Sequence, residues 1–288
     1  MILHRRRRIA DRIFATSVAA CAALCLTILL SIVAAILIRG LPAVSWRFLT
    51  EQIALVGAAG GIFYNLVGTL ILVATAAAVA APIAAGVAIT HSVYLPAGRA
   101  RQALGLVLYV LNGVPAILFG IFGLIVFVKH LQWGKSWLAG GMLLDVMILP
   151  TVTVALTERI KGLPRSYIEA AYALGLRRSQ VVRSVILPQS VGGLMTGLII
   201  GLARAAGETA PIMFTATIFA GATVPTGIRE SPVLSLPYHI FILAQDSFDP
   251  AVASKVWGTA VVLLALVLGL SAAALPVRLR VHEESRHG

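Results

Sequence analysis

The stretch ERIKGLPRSYIEAAYALGLRRSQVVRSVILPQ, residues Glu158 to Gln189, lies between two long apolar runs and carries six lysine or arginine residues. Apolar runs of about 20 residues are long enough to cross a bilayer. A basic connection between two such runs therefore predicts a loop at a membrane surface. The rest of the chain can be placed relative to this loop.

The composition is that of a membrane protein with several spans. The chain is 59% hydrophobic and 12% charged, with a mean hydropathy of +0.95, whereas soluble domains are about 45–50% apolar. The first run is longer than the roughly 7–15 residues of a signal-peptide core, so we expect it to be retained as an anchor. The sequence predicts an all-α membrane protein with six transmembrane helices, at residues 13–38, 62–90, 103–128, 137–156, 191–220 and 256–277.

The distribution of basic residues predicts the orientation. Sixteen of the 23 lysine and arginine residues fall on the side that holds residues 1–12 and the loop 158–190, and six fall on the opposite side. The positive-inside rule makes both termini cytoplasmic. Segments 1–12 and 279–288 are then cytoplasmic tails, and residues 62–278 form the main transmembrane domain. This topology accounts for the net charge of +12 without a nucleic-acid partner.

A short helix is predicted inside the basic loop. Pro164 suits its first turn, Ser166 and Glu169 have the spacing of a capping box, and Gly175 suits its C-terminal end. One face of this helix is small and aromatic, which predicts either a docking surface for a partner protein or a helix lying flat on the inner leaflet. The face consists of Tyr167, Ala170, Ala171 and Leu174.

The spacing of three landmarks in this loop resembles the EAA loop of ABC importer permeases. Glu169-Ala170-Ala171 is followed by Gly175 and then by Val185-Ile186-Leu187-Pro188. The resemblance implies a type I ABC importer permease fold in a bacterial cytoplasmic (inner) membrane. It also implies that Glu169, Ala170, Ala171 and Gly175 couple the chain to two ATPase subunits, which carry the ATP and Mg, and that an extracytoplasmic binding protein delivers the substrate.

A second stretch narrows the resemblance. The segment ARAAGETAPIMFTA, residues 203–216, is similar to the phosphate-specific permeases of the PstA type, although LPYHIF at 236–241 departs from their more frequent LPxQI. Ala210-Pro211 favours PstA over PstC, which the resemblance implies as the partner permease. The implied function is phosphate import. A permease for sulfate or molybdate and an ungated anion channel are the alternatives, and the EAA loop argues against the channel.

The same stretch contains a charged pair inside an apolar run. On an ideal helix Gly193, Gly197, Gly201, Arg204 and Glu208 fall within a quarter of the circumference. The three glycines would let another helix approach closely. Arg204 would supply a fixed positive charge on an anion path, with Glu208 holding it in place. The alternative is that the pair is a structural salt bridge.

Other chemistry is not supported by the sequence. Gly134-Lys135-Ser136 lacks the leading glycine of a phosphate-binding loop, and the six histidines show no metal-ligand spacing. We therefore expect no enzymatic activity, no metal and no cofactor on this chain. Cys21 and Cys25 are interpreted as apolar filler. Asp145 either pairs with a basic side chain or lies near the membrane edge.

Overall fold

Long helices dominate the structure because a backbone that crosses lipid must satisfy its own hydrogen bonds. The computed structural model describes residues 2–54, 59–219, 221, 224–246 and 249–273, with side chains except those of residues 2–10 and 246. The helices are α1 (Ile2–Gly40), α2 (Trp46–Thr50), α3 (Phe63–Ile89), α4 (Arg99–Gly113), α5 (Ala116–Gly123), α6 (Trp137–Lys161), α7 (Arg165–Ala173), α8 (Arg178–Val181), α9 (Leu187–Ala206), α10 (Ala210–Thr215), α11 (Leu236–Leu243) and α12 (Pro250–Ala273). Strands β1 (Ile53–Ala54) and β2 (Ala59–Gly60) pair antiparallel.

Among the described residues, five helical segments are long and apolar enough to cross a membrane. A sixth exists if α4 and α5 count as one broken span. Three of these five segments extend beyond the α-helix that they contain, because a short π-helical or 3-10 helical segment adjoins it. The segments are Asp11–Ala43, Phe63–Tyr94, Trp137–Lys161, Arg178–Ala206 and Pro250–Ala273.

The third predicted span, 103–128, is wrong as a continuous helix. The chain bends by 98° between α4 and α5. Val114 is extended, and Pro115 precedes the first residue of α5. Proline disfavours the helical conformation in the residue before it, which explains the break. A π-helical segment, Leu124–His130, then continues α5.

The fifth predicted span, 191–220, is also wrong as one helix. Helix α9 ends at Ala206 with Gly207 as its cap, and α10 begins at Ala210 with Pro211 in its first turn. Glycine favours a helix end, and proline cannot donate the backbone hydrogen bond that a continuing helix requires. Glu208 therefore lies beyond α9, and the helical wheel does not extend to it.

Other boundaries differ less. Helix α1 begins at Ile2, so the segment 1–12, predicted as a basic tail, is helical from that residue onward. Helix α6 continues past the predicted end at 156 to Lys161. Helix α11 was not predicted. The end of the last predicted span and the tail 279–288 lie outside the described residues.

The core lies where α3, α6 and α9 pack together. Alanines at every fourth residue of α3, among them Ala76, Ala80 and Ala84, are fully buried against leucines of α6 such as Leu143 and Leu144. Small side chains let helix backbones approach closely, which matters in lipid because no hydrophobic driving force holds helices together there. The described part of α1 is mostly exposed and carries both cysteines on its surface.

Candidate functional site

Arg204 lies in the last turn of α9 and contacts two polar partners. Its Nε is 3.6 Å from Oε1 of Glu208, and its Nη1 donates a hydrogen bond to Oδ1 of Asn112 at 3.4 Å. The same Asn112 oxygen accepts a hydrogen bond from Oγ1 of Thr151 at 3.3 Å. We call these four residues, Asn112, Thr151, Arg204 and Glu208, the polar junction. It joins the ends of α4 and α9 to the middle of α6.

Both helix breaks meet at this junction. Asn112 is one residue before the end of α4, and Glu208 lies between α9 and α10. Beyond the breaks, α5 and α10 pack against each other so closely that a Cβ on Gly120 would be 3.0 Å from the carbonyl oxygen of Ala210. Non-helical backbone at membrane depth occurs where it is buried in protein or lines a cavity. Broken helices of this kind surround substrate sites in transporters.

The exposure of Arg204 differs from the prediction. The side chain of Arg204 is 40% exposed and that of Glu208 is 19% exposed, whereas a helix face shared with three closely packed glycines is expected to be buried. Arg204 lies at the edge of the α6–α9 contact and reaches toward α4, which leaves part of the guanidinium uncovered. Within this chain a pair with that exposure and distance contributes only about 0–1 kcal/mol to stability.

Two junction residues, Asn112 and Thr151, were missed by the sequence reasoning. Asn112 is a polar residue inside an apolar run and immediately precedes the Gly113-Val114-Pro115 break, so its position beside a helix interruption was an available signal. Thr151 follows Pro150, a proline within α6. Threonine in an apolar helix usually bonds its own backbone, so sequence alone did not single it out.

The three glycines of α9 lie against α6. A Cβ on Gly197 would be 2.9 Å from Cβ of Ala155 and 3.0 Å from Cα of Val152. A Cβ on Gly201 would be 3.1 Å from Cβ of Ile148, and one on Gly193 would collide with the side chain of Arg159. Because glycine has only a hydrogen atom in place of a side chain, α6 and α9 can pack almost backbone to backbone at these positions.

The short loop helix α7 is defined by its ends. Pro164 is its N-cap, and Ser166 and Glu169 form no capping box, which corrects that prediction. At the other end Gly175 has a φ of +76°, and the N–H groups of Gly175 and Leu176 donate to the carbonyls of Tyr172 and Ala171. Only glycine adopts this left-handed conformation without strain.

One face of α7 borders a groove of about 360 Å³. Glu169 and Ala170 are exposed, and Ala171 is buried. The groove therefore presents apolar side chains at the surface of the loop. Its lining consists of Tyr167, Ala170, Ala171, Leu174, Leu176, Ser184, Val185 and Gln189.

Ala171 connects α7 to the helices of the core. It is buried in a cluster with Leu156 and Ile160 of α6 and with Val182 and Ile186, which precede α9. Helices α6 and α9 in turn hold Thr151 and Arg204 of the polar junction. Contiguous packing therefore runs from the exposed groove to the junction.

Asp145 of α6 is 2% exposed and lies inside the core. Its Oδ1 has no hydrogen-bond partner, and among the described residues it forms no ion pair. It therefore does not pair with a basic side chain there, and the alternative position near the membrane edge stays a prediction. The described residues contain no group of three potential metal ligands.

The fold and the loop place the chain in a known class of transport proteins. Residues 79–280 match the family described as "Binding-protein-dependent transport system inner membrane component", and the chain belongs to this family. The curated relatives include phosphate permeases. The chain is 33% identical to the probable phosphate transport system permease protein PstA of Methanocaldococcus jannaschii, over 96% of each chain. It is 32% identical to the phosphate transport system permease protein PstA 2 of Mycobacterium bovis, over 85% of this chain and 83% of that protein.

Solved structures support the fold. An inward-facing structure of the MetNI methionine ABC transporter aligns with a TM-score of 0.61 at 16% identity, covering 76% of this chain and 97% of that chain. An amino acid ABC transporter aligns with a TM-score of 0.53 at 16% identity, covering 75% of this chain and 92% of that chain. The predicted type I ABC importer permease fold is therefore confirmed.

Proposed function

We propose that this chain is the PstA-type permease subunit of an importer for inorganic phosphate. The names of its relatives support phosphate over sulfate or molybdate, and membership of a family that depends on binding proteins argues against an ungated channel. The observation that carries the proposal is the position of Arg204 where two broken helices meet. Its guanidinium stays charged at any working pH and its planar donors match a tetrahedral oxyanion.

The polar junction suits an anion that must bind and then leave. Arg204 would offset part of the dehydration cost of phosphate, and the Asn112 side chain would turn its amide toward the anion's oxygens. Glu208 would hold the guanidinium when the path is empty and compete with the anion for it. This competition limits affinity, because a transport site has to release its substrate.

The partners in this proposal supply the energy and the second half of the path. A PstC-type permease would close the exposed side of the polar junction, and a phosphate-binding protein would deliver the anion from outside. Two ATPase subunits would dock on the cytoplasmic side of the complex and hold the ATP and Mg, and one of them would contact this chain at α7 through Glu169, Ala170, Ala171 and Gly175. Their closure would move α6 and α9 through the cluster around Ala171, giving alternating access.

The substrate is tested by competition. In vesicles that contain the complete importer, we expect unlabelled phosphate to suppress uptake of labelled phosphate, while an equal excess of sulfate or molybdate leaves it unchanged. The measurement is the initial uptake rate with each competitor. Equal suppression by sulfate would make the chain a general oxyanion permease and would contradict the assignment to phosphate.

The orientation is tested by cysteine labelling in intact cells. With Cys21 and Cys25 changed to serine, we expect a cysteine at Ser254 to react with a membrane-impermeant maleimide and a cysteine at Ser179 to remain unlabelled. Both serines are exposed, and positive-inside topology assigns them to opposite sides. Labelling of Ser179→Cys in sealed cells would reverse the proposed orientation. The same topology assigns residues after 280, which lie outside the described residues, to the cytoplasm.

The coupling role of α7 is tested at Gly175. We expect Gly175→Val to lower the ratio of phosphate imported to ATP hydrolysed, because a β-branched residue at a φ of +76° distorts the end of α7. The strain is about 1–3 kcal/mol, too little to unfold the chain. Gly98→Val is the matched control, since Gly98 is extended and has open space around it. An unchanged ratio in Gly175→Val would count against coupling through this helix.

A further inference from the structure

A cavity of about 690 Å³ lies between the end of α3, the first part of α4 and the last turns of α6. Tyr109 and Val154 form part of its lining. They lie three residues from Asn112 and Thr151 of the polar junction, which is less than one helical turn, or about 4.5 Å along each axis. From there the cavity extends along both helices to Arg101 and Lys161. It therefore begins within one helical turn of two junction residues and extends toward the end of α6 from which α7 follows.

The charged lining of this cavity has one cation more than it has anions. Lys161 Nζ is 2.8 Å from Oε1 of Glu158, so these two charges offset each other. Arg101 makes only a 3.5 Å hydrogen bond to the carbonyl of Ser92, and among the described residues it forms no ion pair. Its guanidinium retains unused donors that are suited to an oxyanion.

Two residues of the lining carry buried polar atoms without partners. The Thr157 hydroxyl is in a residue that is 5% exposed, and neither it nor Nδ1 of His91 has a hydrogen-bond partner in the described part of the chain. Both residues line the cavity. Leaving such groups unsatisfied costs free energy.

We propose that this cavity binds an anionic phosphate group on the cytoplasmic side of the polar junction. The source is either inorganic phosphate that has left the junction or the headgroup of an anionic phospholipid in the inner leaflet. The volume exceeds that of one phosphate ion and accommodates its hydration shell or the glycerol of a lipid. The cytoplasmic placement rests on the orientation given under the proposed function, whereas the site itself rests on the cavity.

Binding to the assembled importer in nanodiscs, without ATP or binding protein, tests the site independently of transport. In phosphatidylcholine nanodiscs the probe is labelled inorganic phosphate. With phosphatidylglycerol the readout is the number of these lipids that remain on the purified complex, measured by mass spectrometry. We expect Arg101→Gln to weaken either the binding of phosphate or the retention of phosphatidylglycerol by about tenfold, the usual effect of losing a charged hydrogen bond. Arg99→Gln, an equal charge change on an exposed residue of the same helix outside the cavity lining, should leave both unchanged.

A second variant distinguishes loss of the binding site from misfolding of Arg101→Gln. The position of a Cβ on Gly105 lies 3.8 Å from Nε2 of His91 with no closer contact outside its own helix, so Gly105→Leu would fill the cavity without altering its charges. We expect the same loss as with Arg101→Gln. Loss of phosphate binding identifies the free anion, and loss of retained lipid identifies the headgroup. If Arg101→Gln and Gly105→Leu both behave like Arg99→Gln in the two assays, the proposal is overturned. Failure of phosphate uptake by the unaltered importer would instead overturn the proposed function.

Discussion

Arg204→Gln is expected to lower phosphate uptake by about a hundredfold while the importer still assembles. Glutamine has a similar reach and keeps a donor for Asn112, but it removes the charge that offsets dehydration of the anion. The helix contacts that hold α9 are made by its glycine face, so the packing should persist. The measurement is the uptake of labelled phosphate, divided by the amount of assembled complex recovered from the same vesicles.

The alternative role of the pair as a structural salt bridge gives different results. In that case Arg204→Gln and Glu208→Gln would both reduce the amount of assembled complex, and exchanging the two residues would restore it, because only their mutual attraction would matter. The 3.6 Å separation and the partial exposure of both side chains argue for a small contribution to folding. We therefore expect Glu208→Gln to assemble normally and to retain phosphate more tightly.

Gly197→Leu is expected to have the second large effect, on assembly. Its Cβ alone would lie 2.9 Å from Cβ of Ala155 and 3.1 Å from the carbonyl oxygen of Val152. Backbone atoms of α6 cannot give way locally, so α9 must move outward and carry Arg204 with it. Overpacking of this kind typically costs about 1–3 kcal/mol and sometimes more. The measurement is the amount of folded chain after solubilisation, with its melting temperature.

Gly86→Leu is the matched control for this substitution. Gly86 lies within α3, has no atom outside its own helix within 4 Å of its Cβ position and has a negative φ. The same increase in size should therefore leave the melting temperature nearly unchanged. If Gly197→Leu and Gly86→Leu were equally stable, the close contact between α6 and α9 would not be the feature that holds the polar junction in place.

The sequence predicted the helices that are continuous and apolar. Helix Phe63–Ile89 agrees with the predicted span 62–90, because its apolar run is long and its single proline, Pro82, is tolerated within the helix. Gly175 was also predicted correctly as the stop of the loop helix, since an αL cap needs glycine. These features depend on local residue type, which a single sequence reports directly.

The polar junction could not be predicted from apolar runs alone. Mean hydropathy does not report the direction of the chain, so the apolar character of 103–128 and 191–220 did not show that the chain turns at Pro115 and stops at Gly207, although proline and glycine are themselves helix-ending residues. The wheel argument assumed one helix through Glu208. It therefore put Arg204 on the same face as the three glycines, whereas the structure leaves the Arg204 side chain partly exposed. Asn112 became part of the site only through tertiary folding, because 92 residues separate it from Arg204.

A series of side chains at position 204 shows whether phosphate transport requires the positive charge there. The initial rate of labelled-phosphate uptake per assembled complex is compared for arginine, lysine and glutamine at this position. We expect arginine to transport fastest, lysine to retain part of the rate because it keeps the charge without the planar donors, and glutamine to be about a hundredfold slower than arginine. Uptake by Arg204→Gln at the rate of the unaltered importer, with equal assembly, would contradict the account.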